Sequence, residues 1–265
     1  MLKRLDSDLV VVNEIRQQTS FSELADACGF AGRLLGDARE RVREIHTGIM
    51  TRLPVLKEGQ WLCYDAVIPA GGGRLDRLEF RRPVPWMKLG LANRETLLAV
   101  GVHLKSRRPE FDEIPETENA RRREILGQAL AAEIRVSEAA GLRCLLDQAM
   151  EARAADHFAV LGDFNDPTGS VSVGIVCGAR LGDWGKVSAD DAQLFPASLQ
   201  MGGQVYSFAG KGRKEMIDQL LVSRGLHSRM VRAGVESQLL EPHQDPEKAS
   251  PGSDHAPVWA EFNII

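Results

Sequence analysis

The 265-residue chain is long enough for one large domain, and its 43 % hydrophobic content allows a sizeable core. A formal net charge of -4 excludes a uniformly basic nucleic-acid coat, although a local basic cleft stays compatible with it. Four scattered cysteines (Cys28, Cys63, Cys144, Cys177) lack CxxC spacing, which argues against a zinc site or a disulfide framework and suits a reducing compartment. No run is long or apolar enough to span a membrane, and nothing ahead of the first predicted strand reads as a signal peptide, so a cytoplasmic location is expected.

Apolar runs of β type begin at residues 9–15. Residues 20–28 follow with a helical pattern, and Ser20-x-x-Glu23 reads as a capping box at its start. Further β-type runs lie near residues 48–56, 61–68, 84–90 and 96–104, the last ending in His103-Leu104-Lys105-Ser106. A single His at such a strand end is more often structural than catalytic. Residues 118–152 carry a helical stripe, Leu126, Leu130 and Ile134 continuing into Leu142, Leu145, Leu146 and Met150, read as core packing against a sheet. Gly141 within it is a candidate kink.

The run Phe158-Ala159-Val160-Leu161 reads as a buried strand ending in Gly162-Asp163-Phe164-Asn165. Asp163 and Asn165, two positions apart, project from one face and can bind a hard cation and a phosphoryl oxygen together. Alone, the tetrapeptide reads equally as an Asx-type turn. Runs near 204–208 and 216–222 follow, and Asp218 interrupts the second of these. A charge there is costly unless paired, and a His from a neighbouring strand end is a natural partner. After a run at 229–235 and a loop rich in Pro and charge (241–252) come Ser253-Asp254-His255 and a last run, 257–263. Many strands with few helices suggest two sheets packed face to face with helices outside, in a single domain over residues 1–265.

Taken in order, the motifs GxHLKS, GDFN, IDxLLVS and SDHxP resemble the endonuclease/exonuclease/phosphatase superfamily, whose fold is that of pancreatic deoxyribonuclease. Asp8 to Ile15 is similar to that family's strand ending in Gln-Glu, with Asn13 where Gln is usual, and Thr47 to Val55 resembles the strand leading into its Ser-Arg-x-Pro turn. The resemblance implies an α+β fold, a four-layer α/β/β/α sandwich of two mainly antiparallel sheets. It also implies a strand carrying an Asn ahead of the one that ends in Glu14. Only seven residues precede Asp8, so the chain is expected to be N-terminally truncated, without that strand and its Asn ligand.

The chemistry implied by the resemblance is divalent-metal-dependent phosphoester hydrolysis, foremost by a nuclease or phosphodiesterase using an activated water. Glu14 and Asp254 are the expected metal ligands, and oxygen donors favour Mg²⁺ or Mn²⁺ over zinc. Asp163 would orient or deprotonate the water, and Asn165 would hold the water or a phosphoryl oxygen. Asp218 would pair with His255 and fix its tautomer. His103 would protonate the leaving group or bind phosphate.

Two departures from the family pattern stand out. Gln219 follows Asp218 where the family often has His. Arg82, in Arg81-Arg82-Pro83, stands where the deoxyribonuclease branch has a Glu that supports its catalytic His. Arg82 and Lys105 are therefore candidate substrate contacts. The clusters 105–108 and 211–214 read equally as faces for a polyanion and as solvated loops, while Arg121-Arg122-Arg123 reads as a solvated helical face. With 6 % aromatic residues, stacking platforms for single-stranded nucleic acid are not evident. Alternatives to a nuclease are a phosphomonoesterase or lipid-headgroup phosphodiesterase on the same fold, and a non-catalytic binding module.

Overall fold

The computed structural model describes residues 2–37, 45–65, 77–112, 114–116, 119–178, 192–210, 212–240 and 253–264. Residues 66–68 of one predicted strand, Lys211 and the loop 241–252 lie outside them. In chain order the strands are β1 (Leu9–Ile15), β2 (Gly32–Leu35), β3 (His46–Thr51), β4 (Val55–Asp65), β5 (Arg77–Gly90), β6 (Thr96–His103) and β7 (His157–Asp163). They continue with β8 (Leu194–Pro196), β9 (Phe208–Gly210), β10 (Arg213–Glu215), β11 (Asp218–Ser223), β12 (Met230–Val235) and β13 (Val258–Phe262). The helices are α1 (Leu2–Leu5), α2 (Gln18–Cys28), α3 (Ala120–Glu151), α4 (Val171–Cys177) and α5 (Arg224–His227).

One sheet has six strands in the order β4-β5-β6-β7-β11-β8. Its β6–β7 pair is parallel and its other pairs are antiparallel. The second layer is built from β1-β3-β2 and a separate β12–β13 pair, all antiparallel. Period-2 burial explains the layering. Leu98, Val100, Phe158 and Val160 face Leu142 and Leu146 of α3 and Val173 of α4. Leu97, Ala99, Ala159, Leu220 and Val222 face the other way, onto Ile49 and partly buried Val11, Ala233 and Val258. Beyond the second layer, Phe21 and Ala25 of α2 pack against Met50, Val10 and Val12. Helix, sheet, sheet and helix thus stack as the α/β/β/α sandwich expected, with one mixed sheet and a second layer in two pieces. β1 and β13 border a cavity of about 1100 Å³ whose walls also include Leu97, Ala159, Leu161 and Leu220.

Local expectations fare unevenly. Residues 48–56 do not form one strand: β3 ends at Thr51, and the chain crosses to the six-stranded sheet as β4. Helix α2 starts at Gln18, and its N-cap Gln17 makes no side-chain cap bond, so the capping box centred on Ser20 is not used. Helix α3 runs unbroken through Gly141, where a Cβ would come within 2.2 Å of the Tyr64 ring. That glycine serves close helix-to-sheet approach, not a kink. The buried face of α3 also differs from the apolar stripe. Leu126 is exposed, and the core side reads Gly127, Ala131, Arg135, Glu138, Leu142, Leu146. An Arg and a Glu occupy positions that hydropathy alone assigns outward.

Candidate active site

Strand register brings three predicted residues side by side. Asp163, the last residue of β7, is paired with His103 of β6 on one side and with Asp218 of β11 on the other. Gly162 makes this possible. Its φ is +137°, and a Cβ there would meet the Val102 carbonyl oxygen at 2.0 Å, so only glycine lets β7 pass β6 this closely. Asn165 follows with a left-handed φ of +53°, and Glu14 at the end of β1 has φ +61° within a register shift between Val12 and Ile15. Left-handed non-glycine backbone at two of these strand ends is consistent with a functional site.

His255 reaches the same place from the segment before β13. Its Nδ1 lies 2.8 Å from Asp218 Oδ2, so the Asp-His pair expected from the sequence is formed. Among the described residues, Asp163, Asp218 and His255 each offer one potential ligand atom, all within 4.8 Å of one another. Burial pulls the His255 pKa down, but the hydrogen bond and charge of Asp218, with the charges of Asp163 and Asp254, outweigh it and raise the value to about 9. His255 is therefore an imidazolium at neutral pH. Asp163 is 5 % exposed; desolvation, then the Asp218 charge, push its pKa up to about 7, against the opposing pull of His255. Its carboxylate takes two bonds from Asn165, from the backbone N at 2.7 Å and from Nδ2 at 3.0 Å.

Glu14 and Asp254, the predicted metal ligands, line the same cavity as Asp163, Asp218 and His255 but do not belong to the tight cluster. Glu14 is exposed and Asp254 half-buried. Both present carboxylates to a cleft that already holds two others, a hard-oxygen donor set compatible with a divalent cation.

Other placements correct the expectations. Arg82 is buried and donates Nη1 to the carbonyls of His103 and Leu104, so it braces backbone and does not face a substrate. Lys105 is buried, with Nζ bonded to the carbonyls of Ser106 and Arg108 and 3.8 Å from Glu110. His103 has a 2 % exposed side chain with Nε2 3.5 Å from Asp163 Oδ2. Burial, then the Arg82 charge, hold its pKa well below the usual histidine value. An enclosed, neutral imidazole is a weaker acid site than an exposed imidazolium, and its position suits support of Asp163. The Asn165 amide donates to Leu104 O and Asp163 Oδ2, so its NH₂ engages the Asp163 carboxylate. Gln219 bonds the Asp166 and Met216 carbonyls and has a structural role.

Ser207 carries no motif that marks it in advance. Its buried hydroxyl accepts the backbone N–H groups of Ile217 and Asp218, and its carbonyl takes Ala256 N, tying the two halves of the Asp-His pair together. The Phe208 ring lies 5.1 Å from that of His255. Arg107 makes a two-pronged contact with Glu215, at 2.9 and 3.0 Å, and donates Nε to the Asn165 carbonyl.

No protein-family model and no curated protein matches the chain in sequence. Solved structures match it in fold. A 3'-5' exonuclease from Neisseria meningitidis superposes with TM-score 0.59 at 16 % identity, covering 97 % of this chain and 89 % of its own. A mannosyl-6-phosphatase of Bacteroides thetaiotaomicron gives 0.60 at 17 %, covering 99 % and 88 %. An endonuclease/exonuclease/phosphatase family protein of the same organism gives 0.58 at 18 %, covering 97 % and 84 %. The chain has the fold of endonuclease/exonuclease/phosphatase structures over almost its whole length.

Proposed function

We propose that this chain is a divalent-metal-dependent phosphoester hydrolase, foremost a nuclease or phosphodiesterase. The observation that carries the reading is the convergence of Asp163, Asp218 and His255 on one cleft at the ends of adjacent strands. The fold neighbours support it: the structures named above include an exonuclease and a sugar phosphatase.

Glu14 and Asp254 would hold Mg²⁺ or Mn²⁺. A hard cation there would supply positive charge to the phosphoryl oxygens and acidify a bound water. The chain's own residues do the rest. Asp163, with a pKa near neutrality, takes the proton of the attacking water. Asp218 holds His255 Nδ1, leaving Nε2 as the donor toward the phosphoryl or leaving oxygen. Asn165, Arg82 and His103 keep the Asp163 carboxylate and its strand end in place.

For a polyanionic substrate, exposed cations among the described residues include Arg4 and Arg232, which line the cavity, and Arg108, Arg213 and Lys214. Arg82, Lys105 and Arg107 make internal contacts, an observation that favours a second reading, hydrolysis of small phosphomonoesters. A panel with Mg²⁺ separates the two: double- and single-stranded DNA, RNA, 3'-phosphorylated oligonucleotide and sugar phosphates. Cleaved internucleotide linkages support the first reading. Turnover of monoesters with polymers left intact supports the second, and no metal-dependent turnover of any substrate sinks both.

A further inference from the structure

Arg135 and Glu138 lie on the buried side of α3, less than one turn apart, in a helix whose neighbouring core positions are Ala and Leu. Burying a carboxylate is unfavourable unless its oxygens are hydrogen-bonded, and an apolar residue would pack the same face more simply. Both charges sit beneath the end of the sheet that carries the candidate active site. Register explains why. β5 and β6 pair only between Trp86↔Val100 and Gly90↔Thr96. Beyond that the two strands are not paired with each other, and across the wedge between them the Arg81 and Lys105 amides both point to α3.

The Glu138 carboxylate fills this wedge. Its Oε1 accepts Arg81 N and its Oε2 accepts Lys105 N, each at 2.7 Å. Arg135 acts one step further on. Its Nη1 donates to Lys105 O at 3.2 Å, and its Nε forms an ion pair with Asp166 Oδ2 at 3.0 Å. The segment so held is the one whose Leu104 carbonyl anchors the Asn165 amide, and Asn165 in turn anchors Asp163. A continuous chain of short contacts therefore runs from the interior of α3 to the Asp163 carboxylate.

We infer that Glu138, with Arg135, is a positioning residue: a buried brace that fixes the ends of β6 and β7 so that Asp163 is held at the geometry catalysis needs. The inference rests on the hydrolase reading above. Glu138→Gln retains the size but turns an NH₂ group toward one of the two backbone N–H donors. Leu142→Ala, on the same helix face, is the control for plain loss of packing.

The experiment measures metal-dependent kcat and KM at a temperature well below both melting points, with residue-resolved hydrogen exchange in parallel. Glu138→Gln is expected to lower kcat at least tenfold with KM within twofold, and to raise exchange at Lys105 and Asn165. Leu142→Ala is expected to lose melting temperature without that kcat change. If Glu138→Gln does not fold, Arg135→Met takes its place with the same expectations. Unchanged kcat together with unchanged exchange at Asn165 overturns the brace, and so does an equal kcat loss in Leu142→Ala. An inactive wild type whose exchange at Asn165 still responds to Glu138→Gln defeats the hydrolase reading and leaves the brace standing.

Discussion

Replacing Asp218 by Asn tests the electrostatic core of the site. His255 Nδ1 lies 2.8 Å from Asp218 Oδ2, and the pKa of His255 stands at about 9 against an ordinary 6.5. That elevation corresponds to roughly 3 kcal/mol of preference for the imidazolium, at about 1.4 kcal/mol per unit. With 32 % of the side chain exposed, solvent screening brings it nearer 2 kcal/mol. In Asp218→Asn the largest raising contributions disappear while the burial that lowers the value stays, so His255 is expected to titrate near or below 6.5. NMR titration of the His255 ring reads this directly.

The same shift appears in stability, with a fixed sign. Because the folded-state pKa is raised, the stabilisation is complete below about pH 6.5 and is lost as pH rises through about 9. Wild type should lose a few degrees of melting temperature across that window, at about 2–4 °C per kcal/mol for a chain of this size, and Asp218→Asn should not. Activity at pH 7.5 should fall roughly 10²–10⁴-fold. A His255 midpoint that stays near 9 in the mutant would refute the reasoning.

Asp163→Asn removes a buried acid whose raised pKa makes its charged form unfavourable above about pH 7. Its contribution to stability is full below about pH 4 and lost through about pH 7, so the mutant should melt higher than wild type at pH 8 by about 1–3 kcal/mol and equally at pH 4, while losing activity. Calorimetry at the two pH values checks it. Gly162→Ala should destabilise the fold by more than about 3 kcal/mol, since its Cβ would overlap the Val102 carbonyl; denaturant melts measure this. Ser207→Ala strips two buried backbone N–H groups of their acceptor and should cost about 1–3 kcal/mol in the same assay, with the His255–Asp218 contact loosened.

Much of this architecture was legible because it rests on local pattern. Most apolar runs became strands, although 48–56 is divided between β3 and β4 and 204–208 reaches a strand only at Phe208, and Asp218 inside one of them signalled a partner that His255 supplies. Gly-Asp-Phe-Asn marked the strand end correctly because glycine and left-handed Asn are themselves the local geometry. What stayed hidden depends on three-dimensional neighbours. Short β2, β8, β9 and β10 have too few residues for a period to show. The inward charges of α3 violate the hydropathy stripe because they answer backbone groups contributed by other elements. Arg82 and Lys105 looked outward by residue type, yet backbone carbonyls claim them.

The most direct test of the central claim is metal-dependent turnover of a phosphoester by wild type beside His255→Ala and Asp163→Asn. Reactions run with Mg²⁺, with Mn²⁺ and with excess chelator, on 3'-phosphorylated and internally linked oligonucleotides and on a sugar phosphate. The account predicts turnover in wild type that the chelator abolishes and added metal restores, with both variants slowed at least about a hundredfold. Chelator-resistant turnover, or variants as fast as wild type, would contradict it.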